Sequence, residues 1–201
     1  MEYRCVYIGN AEWITWSEIE AIPLSDTVTG DEPRLSTSVR AVWTDRELRI
    51  RFEYEDDHVV ATMTRRDDPI YEEDVVEVFI DETGEGNPYL EFEVSPNNVV
   101  FDAVVTLGED GTVHPDTSWD ARGMETAAGE LAPGLRYAEL RIPFENFRRP
   151  PADGTVWRWN CYRIDDDKQG NRHYSAWSPT GKASFHVPEK FGALRFINIP
   201  W

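Results

Sequence analysis

Cysteine is scarce in this chain of 201 residues: Cys5 and Cys161 stand alone, outside any CxxC or His/Cys array. Metal and redox motifs of those kinds are excluded, and the two read as buried free thiols. Basic residues are few as well, 20 Lys plus Arg against 38 Asp plus Glu, for a formal net charge of −18. Such a surface repels phosphate backbones and anionic lipid, which excludes nucleic acid and membrane as partners. No stretch approaches the roughly 18 to 20 apolar residues of a membrane span. The opening MEYRCVYIGN has no basic segment followed by an apolar run. A complete chain would therefore be expected in the cytoplasm, and one relieved of a signal peptide would be secreted. Long amphipathic helical patterns, low-complexity linkers and internal repeats are also missing.

Short alternating runs between turn clusters are what the sequence does contain. Ser36 to Trp43 places Val39, Ala41 and Trp43 on one face, and Asp45-Arg46 turns the chain into Glu47 to Tyr54, where Leu48, Ile50, Phe52 and Tyr54 alternate with polar residues. The turn DETGEGNP separates Val75 to Ile80 from Tyr89 to Val94, and SPNN separates that run from Val99 to Thr106. Further strands are expected over Leu135 to Ile142, Thr155 to Ile164 and Gly192 to Ile197, with a single turn at IPFENF. One domain spanning residues 1–201 is expected, all-β, an antiparallel two-sheet β-sandwich of jelly-roll or immunoglobulin-like character.

The stretch DDPIYEEDVVEVFID, Asp67 to Asp81, carries the most chemical information. Alternation sends Val76, Val78 and Ile80 into a core and leaves Val75, Glu77 and Phe79 on the other face. A carboxylate among aromatics suits a hydroxyl-rich ligand, because ionised acceptors make the stronger hydrogen bonds and aromatic plates cover the weakly polar faces of a sugar ring. Glu91 and Glu93 on the next strand share that face, where a solvated role is the simpler account. Tyr71 lies in a Pro-led turn at the rim. Trp177, in the turn-rich AWSPTG, is the second candidate plate, whereas Trp43, Trp157 and Trp159 have the strand positions of core residues.

Taken together and in order, DDPIYEEDVVEVFID, YLEFEVSPNNVVFD, LRIPFENF, WRWNCYRID and AWSPTGKASFHVPEKFGALRF resemble the signature segments of family 9 carbohydrate-binding modules and their DOMON-like relatives, from about Thr37 to Phe196. The resemblance implies a β-sandwich that holds a mono- or oligosaccharide between two aromatic rings, here Tyr71 and Trp177, with Glu77 as the hydroxyl-binding carboxylate. Glu93, Asn160 and Arg163 follow as further contacts, Glu93 standing where such modules carry a basic residue. It also implies a role in polysaccharide breakdown beside a separate glycosidase. No cofactor is required, but family members are stabilised by calcium, for which Asp56, Asp57 and Asp165 are the candidate ligands. None of these matches a spaced calcium loop, and solvated turns account for them equally simply.

Two other functions compete with this one. Glu77 and Glu93 on neighbouring strands have the spacing of a glycoside hydrolase pair, but an open sheet face would solvate both, against the raised pKa an acid catalyst needs. Haem-carrying DOMON relatives need Met and His ligands, for which Met1, Met63 and Met124 with His58, His114, His173 and His186 are available without forming a motif.

Overall fold

The structure is a computed structural model, and residues 1–198 are described. In chain order the strands are β1 (Glu2–Tyr7), β2 (Ile22–Pro23), β3 (Ser25–Asp26), β4 (Thr37–Trp43), β5 (Glu47–Glu55), β6 (Val75–Asp81) and β7 (Tyr89–Val94). They continue with β8 (Val100–Leu107), β9 (Val113–Asp116), β10 (Glu125–Ala132), β11 (Leu135–Pro143), β12 (Val156–Asp166), β13 (Arg172–Ala176) and β14 (Gly192–Ile197). The helical segments among the described residues are single 3-10 turns, including Ile70–Glu72 and Phe144–Asn146, the latter within IPFENF.

Hydrogen bonding links the strands in the order β10-β11-β5-β4-β1-β14-β12-β6-β7-β8-β9. The ribbon folds over so that Val39, Ile50, Phe52 and Leu140 of one half share a single apolar cluster with Val78, Phe92, Trp159 and Phe196 of the other. Two sheets packed face to face on such a cluster form a β-sandwich. The pairing is antiparallel except at β1, which runs parallel to both β14 and β4 and joins the two halves. That strand escaped the sequence reading: its buried residues are only Tyr3 and Cys5, too short an alternation to stand out.

Alternation along β6 behaves as the residues dictate. Val76, Val78 and Ile80 enter the inner cluster, whereas Val75 and Phe79 belong to a second one on the outer face of the same sheet. That outer cluster also contains Ile70, Phe101, Tyr162, Phe185 and Phe191, so segments outside the sheet cover much of its surface. The β6–β7 turn is set by Asp81, whose carboxylate accepts hydrogen bonds from the backbone N–H groups of Thr83, Gly84 and Gly86 at 2.7 to 3.0 Å. Gly84 and Gly86 sit at φ of +76° and +81°, a region that side chains with a Cβ rarely enter. The turn fixes the β6–β7 register and so aligns Glu77 with Glu93.

Candidate functional site

Pairing across β12, β6, β7 and β8 sets two rows of side chains on the outer face. One runs Tyr162, Glu77, Glu93, Phe101, and the next runs Asn160, Phe79, Glu91, Ala103. Above them lies a cavity of about 410 Å³ whose lining includes Tyr71, Glu77, Glu91, Phe101, Arg172 and Phe185. Its walls are aromatic. Tyr71, 41% exposed, meets Phe101 edge-on at 5.5 Å, and Phe185 stacks on Tyr162 at 4.2 Å with 14° between the planes. Tyr71 rides on the single turn Ile70–Glu72, anchored from below by the fully buried Ile70. Arg172 fastens this turn by donating to the carbonyls of Tyr71 and Glu72, while Asp166 accepts from its Nε and Nη2, each at 3.0 Å.

The floor is acidic. Glu77, Glu91 and Glu93 are all buried, and each offers an oxygen within 4.8 Å of the others. Burial, which disfavours the charged form, pushes all three carboxyls up, Glu91 to about 7. Mutual repulsion adds to the effect on Glu77 and Glu93. Glu77 Oε1 and both carboxylate oxygens of Glu93 have no hydrogen-bond partner. Acceptors left unpaired in an interior are costly, so the floor stores a demand for donors.

Residues 9–198 match the profile of the family described as carbohydrate family 9 binding domain-like. The chain belongs to this family. An extracellular protein of Arthroderma benhamiae is 30% identical over 196 residues, covering 90% of this chain and 87% of that one. Endo-1,4-beta-xylanase A of Thermotoga neapolitana is 26% identical over 184 residues, 90% of this chain but 16% of the enzyme, so the likeness concerns one segment of a much larger protein. Among solved structures, a family 9 carbohydrate-binding module from Caldicellulosiruptor kristjanssonii in complex with glucose superposes with a TM-score of 0.71 at 17% identity, covering 100% of this chain and 97% of that one. The fold is thus shared with an established member of family 9.

Within this family 9 module the site differs from the expected one in several respects. Trp177 does not face Tyr71. It is 4% exposed and packs in the inner core against Trp159 at 5.8 Å, so tightly against Gly192 that a Cβ there would overlap its ring. Strand parity explains the correction. Tyr174 and Ala176 pair with Ile164 and Tyr162 and share their outer face, so Trp177, one residue further on, turns inward.

Asn160 shares the face of Glu77 but is spent on structure: its amide donates to the Ser178 carbonyl at 2.8 Å, and its oxygen accepts from the Ser178 and Cys161 N–H groups. It pins the AWSPTG loop instead of meeting a ligand. Arg163 pairs in register with Val76, an inward position, and lies over the Tyr54 ring at 4.6 Å with Asp165 at 2.7 Å, out of reach of the acidic face. Glu91 and Glu93 are buried, not solvated, because Tyr71, Phe101 and the outer segments roof them. Arg172, Tyr174, Phe101 and Phe185 went unread as site residues. The alternation Arg172, Tyr174, Ala176 was the available signal for the first two.

The second acidic group also changes membership. Asp56, Asp74 and Asp165 bring oxygens within 4.8 Å of one another, whereas Asp57 is half in solvent and held by Arg34 at 3.0 Å. Asp57 therefore leaves the candidate metal set and Asp74 enters it. Asp74, pushed up to about 6 by burial, accepts from the Val60 and Asp166 N–H groups. As to haem ligands, His186 hydrogen-bonds with Tyr89 at 2.7 Å and His173 with Asp167 at 3.0 Å, while His58 and His114 are exposed. These placements lend the haem alternative no support.

Proposed function

We propose that the cavity binds a saccharide unit without transforming it, with Tyr71 as the stacking plate and Glu77 and Glu91 as acceptors for ring hydroxyls. The observation that carries this reading is a half-exposed aromatic ring beside paired buried carboxylates, in a module of a family with a member structure bound to glucose. Aromatic area gives contact at small entropic cost, and the acceptors fix the ring's orientation. Phe185 and Tyr174, which also line the cavity, take the place of the second plate that Trp177 does not supply. Replacing Tyr71 with Ala is expected to weaken binding by about 1 to 2 kcal/mol, roughly 5- to 30-fold in Kd. Calorimetry against glucose and cello- or xylo-oligosaccharides checks it, and an unchanged Kd would remove Tyr71 from the site.

The same carboxylates support a binding-only role. Glycoside hydrolysis needs one ionised and one protonated group about 5 to 10 Å apart, flanking the bond. Here burial pushes all three toward the protonated form, which works against the ionised partner. Hydrolysis of the bound polymer would fall to a separate glycosidase. Incubation with those oligosaccharides should yield no shorter product, and turnover abolished by Glu77→Gln would reverse this reading.

Calcium would sit at Asp56, Asp74 and Asp165. The donor set is hard oxygen, as the ion requires, and Asp56 Oδ2 is sealed without a hydrogen-bond partner. Arg163, 3.8 Å from that oxygen and paired with Asp165 Oδ1, and Arg34 on Asp165 Oδ2 already offset part of the charge. Millimolar calcium is expected to raise Tm by several degrees in the parent chain and not in Asp74→Asn, a stabilisation by mass action on the folded state. Equal melting curves with calcium and with chelator would dismiss the ion.

A further inference from the structure

We infer that the pocket is selective for a cationic sugar, one whose ring carries a protonated amine, seated on Glu77 and Glu91 with the fully buried Glu93 behind them. This rests on the saccharide-binding reading and names the class of saccharide. The triad is more than an accumulation of acid. Glu93 is fully buried with both carboxylate oxygens unpartnered, and Glu77, 2% exposed, has Oε1 unpartnered, while Glu77 and Glu91 open onto the cavity. Glu77 and Glu93 are directly opposite each other in the β6–β7 register, with Glu91 two residues along β7 on the same face, so the three converge by strand geometry.

The cation that lines this cavity makes no hydrogen bond to them. Arg172 lines the same cavity, but its donors go to Asp166 and to the carbonyls of Tyr71 and Glu72. A ligand amine would bring both the donors and the charge that favour the ionised form of these carboxyls in place. An ammonium group has three N–H donors and no acceptor, enough to serve Glu77 and Glu91 at once. Charge-assisted bonds of about 2.8 Å in tetrahedral directions set its acceptors roughly 4.6 Å apart. Glu77 and Glu91 each bring an oxygen no more than 4.8 Å from the other, close enough for one ammonium to reach both. A neutral hydroxyl is a poorer match, since it brings one proton, two lone pairs that face anionic oxygens, and no charge. A calcium ion would want six to eight oxygens at about 2.3 to 2.6 Å, and the walls of this cavity are largely the rings of Tyr71, Phe101, Tyr174 and Phe185. Those rings suit the apolar faces of a pyranose above the anchored amine.

The test is calorimetry on the unaltered chain with glucose, glucosamine and N-acetylglucosamine, then with cellobiose and fully deacetylated chitobiose, at a pH where the amine is protonated. Glucosamine and deacetylated chitobiose are expected to bind about tenfold or more tighter than their neutral counterparts, the size of a hydrogen-bonded charge, and acetylation should abolish the gain. Glu93→Gln and, separately, Glu91→Gln should shrink the preference, whereas Tyr71→Ala should weaken both classes alike. Glucose bound as tightly as glucosamine would overturn the inference and leave the saccharide reading intact. Failure of every sugar to bind would overturn that reading and the inference with it. Calcium alone binding at this triad, lost in Glu93→Gln and kept in Asp74→Asn, would assign the carboxylates to a metal and overturn the inference too.

Discussion

Trp177→Ala is expected to lower the stability of the folded chain by about 3 to 5 kcal/mol while leaving saccharide affinity unchanged in the fraction that folds. The indole fills the inner core beside Trp159 and closes directly over Gly192, where β14 approaches, so its removal leaves a cavity that rigid strands on either side cannot collapse to fill. A loss of that size is a large share of the 5 to 15 kcal/mol that holds a typical domain together. Urea denaturation gives the first number, and calorimetry under conditions where the variant is folded gives the second. The opposite outcome, affinity lost with stability retained, would return Trp177 to the ligand and contradict the packing described above.

Stability without ligand should fall as pH rises from about 6.5 to 8, above the range in which the buried His186, held down to about 4, works in the opposite direction. Glu91 is pushed from 4.5 to about 7 and Asp74 from 3.8 to about 6, in both cases chiefly by burial, and Glu77 and Glu93 are also raised. Between the ordinary carboxylate range and these raised values the folded chain holds protons that the unfolded chain has released. The stabilisation is thus complete below about pH 4 and is lost as pH climbs through the folded-state values. Glu91 alone accounts for something on the order of 3 kcal/mol between its ordinary and its raised value. Asp167 opposes the trend only at the acid end: His173 and Asn171 hold its carboxyl well below the usual range, so its contribution disappears as pH drops below that range. Glu93→Gln, which retains the shape and cannot ionise, should raise Tm at pH 8 and flatten the profile. Melting curves from pH 4.5 to 8.5 decide the matter, and a Tm that is level or climbing toward pH 8 would show the floor to be well solvated.

Much of the architecture could be read from residue order alone, because alternation is a local signal. The faces of β4, β5, β6 and β11 follow directly from Val39, Leu48, Val76 and Leu140 and their neighbours at even spacing. Where the alternation is brief or polar, as in Glu2–Tyr7 or Glu125–Ala132, the pattern is too weak to mark a strand, and only pairing partners elsewhere in the chain define it. The site divided along the same line. Tyr71 and Glu77 announce themselves within a single segment, but the fate of Trp177 depends on which residue of β13 pairs with which residue of β12, a fact that no short window contains. Glu93 and Glu91 looked solvated because the segments that roof them, with Tyr71 and Phe185, come from distant parts of the chain.

The parallel placement of β1 between β14 and β4 bears on how the sandwich is assembled. Glu2 aligns with Ala193, so the keystone between the halves sets only when stretches far apart in sequence meet, which makes for late closure and slow folding. Stripping away this one strand would unzip both of its borders and bare two rows of backbone donors and acceptors at once. Such raw margins invite strands from other molecules, and clumping, more than loss of ligand, would be the first symptom.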